Sequence, residues 1–267
     1  LKPTYGLVSR HGVIPLSRSL DHVGPMTRTV EDCALLLQVL AGHDPKDPTS
    51  SHAPVPSYTA QLKEGVRGLR IGILRPQFFQ GLSDEVAQAT EQALSMFTKL
   101  GATLTDVNLE RVTKARAVYD FIVYPEATAY HLPWMQTRIE DYGPNTRGRL
   151  EQGLAIPATA YVQAQQERRL LVRDAMASLE EVDLLLAPGA AQTPPRMDEE
   201  GAATPRGLTN VFNITGLPAL SMPCGFSKTN LPMSFQLIGK PFHEATLLRA
   251  GHAYEQETPW HQQHPYL

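Results

Sequence analysis

A serine hydroxyl becomes a nucleophile when a base takes its proton, and a lysine serves as that base when burial keeps it neutral. Lys2, Ser9, Ser17, Ser19, Lys63 and Ser221 are residues of the right types. Around them the chain carries no GxSxG elbow. It also lacks GxxxxGK, HExxH and a GxGxxG opening a helix. His243-Glu244 imitates the start of the zinc motif, but His252 is too far along to share its helix face. That pair reads as a solvated helix start, with Glu244 favouring the helix dipole. His261 and His264 have no carboxylate or thiol beside them, and Cys33 and Cys224 form no CxxC, so no metal site is expected. Lys2 is assigned a structural role beside Pro3 and Thr4.

A soluble-type chain of 267 residues, 42% hydrophobic and 19% charged, can bury a core large enough to hold such groups in place. A net charge of −3 gives no reason to expect nucleic acid. The basic pairs Arg147/Arg149 and Arg168/Arg169 read as ordinary helix faces. The two cysteines are expected to stay unpaired, in a reducing compartment, and no apolar run is long enough to cross a bilayer or opens the chain as a signal peptide. A cytoplasmic protein is expected.

Glycines and prolines forbid a long helix before residue 28. A helix then begins at Thr29, with Asp32 as its capping partner and Val30, Cys33, Ala34, Leu37 and Leu40 on one face. Residues 69–74 read as a buried strand, the stretch after Ser83 as a helix, and "ATLTDVNL" as the next strand, which predicts a right-handed parallel crossover. Further helices are expected over 115–131, 159–181 and 244–256. "VDLLLAP", "LPALSMPCG" and "SFQLIG" read as strands, the last two joined by a turn at Asn230. Alternating strands and helices make this an α/β protein in one unit.

The segment "LKPTYGLVSRHGVIPLSRSLDHVGPMTRTVEDCALLLQVLAGHDPKDPTS" closely resembles the part of the amidase signature family that follows its serine-rich motif. The resemblance resumes at "VDLLLAP", "FNITGLPALSMPCG" and "LPMSFQLIGKPFHEATLLRAGHAYEQ". It implies a mixed β-sheet flanked by α-helices, with residues 1–267 the C-terminal part of a single amidase signature domain. Members hydrolyse carboxamides with a Ser–cis-Ser–Lys triad and without a metal or organic cofactor, and all three triad residues precede the LKPTYG block. The resemblance therefore implies a fragment of an amidase with no catalytic residue of its own, expected to be inactive alone. Two alternatives stand beside it: a non-catalytic structural or interaction subunit, and the A subunit of a glutamine-dependent tRNA amidotransferase. A small-molecule amide is the implied substrate, and a second copy or a complementing N-terminal chain the implied partner.

The same resemblance carries substrate-binding expectations onto Arg149, Tyr124, Asn210 and Phe212. Arg149 matches an arginine that holds a substrate α-carboxylate, a task suited to the guanidinium fork. Arg206 stands where glutamine-using members carry an aspartate, which favours a general amidase. Asp21 is expected to fix a turn through backbone N–H groups. Tyr161, Ala164 and Arg168, sharing a helix face, are expected to form a packing seam.

Overall fold

A computed structural model describes residues 1–196 and 207–264. Its strands are β1 (Arg70–Ile73), β2 (Thr103–Asp106), β3 (Leu184–Pro188), β4 (Ala219–Phe226) and β5 (Pro232–Gly239). They form one sheet in the order β2-β1-β3-β5-β4. β1 runs parallel to β2 and β3, whereas β5 runs antiparallel to β3 and β4, so the sheet is mixed. The helices are α1 (Val30–Leu40), α2 (Arg75–Phe78), α3 (Asp84–Lys99), α4 (Ala115–Arg138), α5 (Pro144–Ala155), α6 (Ala158–Glu181), α7 (Gly207–Thr215) and α8 (Glu244–Gln256).

Strand side chains alternate between faces, and here each face buries its own apolar cluster. Ile71, Ile73, Leu184, Leu186, Phe235 and Leu237 pack with residues of α1, α3 and α8. Leu185, Ala187 and Ile238 turn the other way and pack with α4, α6 and α7. All five residues of β3 are buried, as befits a central strand covered on both sides. Gly72 lets β1 sit against that second layer, since a Cβ there would fall 2.6 Å from Val107 Cγ2 and 2.9 Å from Leu185 Cδ2.

Local signals explain most boundaries. Thr29 caps α1: its Oγ1 accepts from Asp32 N at 3.1 Å and donates to Asp32 Oδ2 at 2.7 Å. Ser83 Oγ caps α3, which crosses from β1 to its parallel neighbour β2. Asn230 takes a positive φ of 59° in the β4–β5 turn, a conformation asparagine tolerates.

Three segments differ from the sequence expectation. α4 runs past His131 through Pro133 to Arg138, because packing against α5 outweighs the proline's missing donor. α5 holds the Arg147/Arg149 pair on a helix of its own. α7 occupies a stretch of Asn, Thr and Gly for which the spacing predicts no element, yet its buried Val211, Phe212 and Ile214 fix it against α4 and α6.

Candidate functional site

The site forms where the first residues of the chain run between the start of β4 and the helices α4, α6 and α7. Lys2 is pinned by a two-way bridge, its N donating to Ala219 O and Ala219 N donating back to Lys2 O, each at 2.8 Å. Its ammonium donates to Leu217 O at 2.5 Å and Pro3 O at 3.3 Å. Burial lowers the Lys2 pKa to about 7, against the opposing pull of Glu244. Glu244 is not the solvated helix start expected: it is fully buried at the head of α8, because Oε1 accepts from Thr4 N at 2.7 Å and Thr4 Oγ1 at 2.5 Å, which draws the carboxylate inward.

Residues 16–22 make a tight turn. Asp21 Oδ2 accepts from Leu16 N at 2.9 Å and Ser17 N at 3.0 Å, the turn-fixing use expected of it. Glu126 on α4 then gathers this loop: it accepts from Ser17 Oγ at 2.6 Å, Ser19 N at 3.0 Å, Ser19 Oγ at 2.7 Å and, from α6, Tyr161 OH at 2.9 Å. Burial pushes the Glu126 carboxyl up, but these donors together hold it below the usual range, so it is a poor proton acceptor. Arg168, one face along α6 from Tyr161, donates to Ser19 O at 2.9 Å and Ile214 O at 2.7 Å. With Ala164 buried between them, Tyr161 and Arg168 form a seam as expected, hydrogen-bonded rather than apolar.

His22 and Asn213 close the loop's far side. Asn213 Nδ2 donates to Leu20 O at 2.8 Å, and His22 Nδ1 lies 2.7 Å from the same carbonyl oxygen. Nδ1 also lies 3.1 Å from the donor Asn213 Nδ2, so its two neighbours are an acceptor and a donor and are compatible with either ring tautomer. Nε2 is buried without a hydrogen-bond partner. Burial, with Lys2 adding to it, lowers the His22 pKa to about 3, leaving the ring neutral at ordinary pH.

These groups surround a cavity of about 390 Å³ whose walls include Lys2, Ser17, His22, Asn210 and Asn213, with Leu20 and Val123 as apolar sides. A second, of about 450 Å³, adjoins it through Leu16, Asp21 and His22 and has Arg10, Arg18 and Lys46 on its walls.

Among the four residues expected to touch substrate, the cavity brings in Asn210, on α7, which is 9% exposed and has an unpartnered Nδ2. Phe212 is fully buried and stacks on Phe78 with ring centroids 5.8 Å apart, so it packs the core behind α7. Tyr124 is half-buried on α4 and Arg149 exposed on α5, and neither lines the two cavities. Arg206 lies outside the described residues. Sequence reasoning gives Lys2 only a structural role and does not single out His22, Glu126 or Asn213 for the site. The available signal was a glutamate on an α4 face otherwise made of Tyr119, Ile122 and Tyr130.

The other candidates for serine chemistry are dispersed. Ser9 Oγ donates to Asp44 at 2.6 Å, Lys63 is exposed, and Ser221 lies exposed on β4. Among the described residues no lysine and two serines join in a relay, and no group of three His, Cys, Asp or Glu side chains is placed to hold a metal. Cys33 and Cys224 are buried free thiols, and burial pushes Cys224 up to about 12. No helix among the described residues is long and apolar enough to cross a membrane.

A family model described as Amidase matches residues 1–248. An amidase of Pseudomonas putida is 43% identical over 277 residues, which cover 100% of this chain and 59% of the relative. In Thermosynechococcus vestitus, the A-type subunit of the glutamyl-tRNA(Gln) amidotransferase is 39% identical over 298 residues, covering 100% of this chain and 61% of that protein. The crystal structure of the corresponding protein from Thermotoga maritima matches with a TM-score of 0.82 at 30% identity, over 97% of this chain and 57% of that one. The chain thus spans about three fifths of the length of the curated relatives it matches.

Proposed function

The chain belongs to the amidase family, and from that premise we propose that the whole protein hydrolyses the C–N bond of carboxamides by serine–cis-serine–lysine chemistry. In that chemistry the serine Oγ bonds to the carbonyl carbon and its proton passes through the second serine to a neutral lysine. The proton goes on to nitrogen as the C–N bond breaks, and water then cleaves the acyl-serine. In this reading the three catalytic residues belong to the share of the relatives' length that these 267 residues do not span. Residues 1–267 are the C-terminal part of one amidase signature domain and supply scaffold and pocket wall.

The observation that carries this division is local. The Ser17 and Ser19 hydroxyls donate to Glu126, while Lys2 donates to backbone carbonyls. Asn210 has the support of lining the cavity; Phe212 acts by packing behind it. Contact of Tyr124 or Arg149 with substrate depends on chain beyond these residues. The rest of the whole protein is also the proposed cover for the apolar side chains exposed on and beside α1, among them Met26, Leu36 and Val39.

Hydrolysis of aryl and alkyl amides is to be measured for this chain alone and for the complete reading frame that encodes it. The expected result is turnover by the complete protein and none by the chain. Turnover by the 267-residue chain that disappears in Lys2→Met would overturn the assignment. Glutamine belongs in the panel, because identities of 38% to 41% to amidotransferase A subunits, beside 43% to an amidase, support that second reading as well. Preference for glutamine over simple amides would select it.

A further inference from the structure

Residues 16–22 wall both cavities: Leu16, Asp21 and His22 border the 390 Å³ and the 450 Å³ spaces alike. Where this one loop sits therefore sets the width of each. Its middle residue is gripped at every polar group, with Ser19 N and Oγ donating to Glu126 and Ser19 O accepting from Arg168. Glu126 takes two further donors, Ser17 Oγ from the loop and Tyr161 OH from α6. Val123, one turn earlier on α4, lines the 390 Å³ cavity, so the helix that bounds that space also carries the group that holds its loop wall.

We propose that Glu126 is a positioning residue for the amide reaction, fixing residues 17–19 by the number and direction of its hydrogen bonds rather than by its charge, and exchanging no proton with the substrate. The inference rests on the amide-hydrolase reading for the reaction, while the clamp rests on the four hydrogen bonds. Three of the four donors are hydroxyls, which accept as readily as they donate. The fourth, Ser19 N, shares Oε2 with Ser17 Oγ, whereas Ser19 Oγ and Tyr161 OH share Oε1. Glutamine at this position can thus turn its carbonyl oxygen to the first pair and its NH2 to the second, where both oxygens are able to accept. Alanine can do neither, and it leaves the Ser19 N–H without its acceptor.

The loop amides give the first readout, because Leu16 N and Ser17 N donate to Asp21, Ser19 N to Glu126, and Leu20 N and Asp21 N to Ser17 O. In the full 267-residue chain, Glu126→Ala is expected to speed amide exchange at Ser19, Leu20 and Asp21 at least tenfold while the strands keep their rates, and Glu126→Gln to stay within about twofold of the parent. Should Glu126→Ala fold poorly, Ser17→Ala with Ser19→Ala removes two of the four donors from the loop side and is expected to give the same local release. In the complete protein, with whichever aryl or alkyl amide it turns over fastest, Glu126→Ala is expected to raise KM at least tenfold with kcat within about threefold. Glu126→Gln is expected to restore KM and to leave the pH profile of kcat/KM unmoved. A glutamine variant as impaired as the alanine one overturns the proposal, since charge or a proton would then be what matters. Unchanged loop exchange in Glu126→Ala, or a fall in kcat with KM unmoved, overturns it as well. A complete protein without amide turnover sinks the hydrolase reading, and the exchange rates then decide the clamp by themselves.

Discussion

Lys2 is an amine held where a charge is costly, and that makes it visible in the pH dependence of stability. In the unfolded chain its pKa is the ordinary 10.5; in the fold burial lowers it to about 7. Between those values the unfolded state binds a proton that the folded state has released, so stability rises with pH. Above roughly pH 8.5 the buried thiols act in the opposite sense, because burial raises their pKa and the unfolded chain then loses protons the fold retains. His22, whose pKa burial lowers from 6.5 to about 3, adds a rise of the same sign that has faded by about pH 7.5, so the clean window is about pH 7.5 to 8.5. Denaturant unfolding across it is expected to show stability increasing by up to about 1 kcal/mol per pH unit, and Lys2→Met to flatten that slope. An equal slope in the variant would mean that Lys2 keeps its charge in the fold. Residues such as Lys2 and Glu126 resist reading from sequence because their partners are remote: Glu126 meets Ser17 across 109 positions and Ser19 across 107. Asp21 was legible because the groups it binds, Leu16 N and Ser17 N, lie within five residues.

At the scale of elements, legibility followed how much of each signal was local. α3 and α8 carry their own periodicity, and α1 its own Thr29–Asp32 cap, so they fell out of residue spacing. α7 is helical because Val211, Phe212 and Ile214 are drawn into the layer shared with α4 and α6, a cause that composition does not contain. The α4–α5 pair depends likewise on a contact between elements. Gly153 on α5 sits so close to α4 that a Cβ would fall 2.4 Å from Tyr124 O and closer still to Thr128 Oγ1. Thr128 Oγ1 also donates to Leu150 O at 2.7 Å, tying the two helices side by side. Gly153→Ala must push them apart, since the nearest obstacles include main chain. A loss of about 1 to 3 kcal/mol is expected, with faster amide exchange confined to α5 and the facing turns of α4. Unchanged exchange there would mean that the helices can separate without cost.

At the scale of the molecule, the folded unit leaves apolar surface that its own residues do not cover. α1 buries Val30, Cys33, Ala34 and Leu37, but Leu40, expected on that face, is 37% exposed at the helix end, and the other sides expose Leu35, Leu36 and Val39, with Val39 at 81%. Apolar side chains of this size standing out from several sides of one helix, with Glu31, Asp32 and Gln38 its exposed polar residues, are normally covered. Met26, 95% exposed, and Ile14, 73% exposed, lie in the loop leading to it. β4 adds to this as an edge strand: beyond β5 its one neighbour among the described residues is the bridge from Lys2 to Ala219. A long edge and an apolar helix face are each a site for association. The chain alone is therefore expected to self-associate, giving a light-scattering mass above that of one 29.4 kDa copy and binding a hydrophobic dye. Polar replacement of two α1 positions, Leu36→Lys with Val39→Glu, is expected to lower both signals without loosening the core, because neither side chain belongs to a buried cluster. In the complete protein the same pair of replacements is expected to be destabilising, since there the charges would be forced under the covering segment. A chain that remains a monomer at tens of micromolar and ignores the dye would show that α1 needs no cover, and would remove the argument that the rest of the whole protein packs on this side.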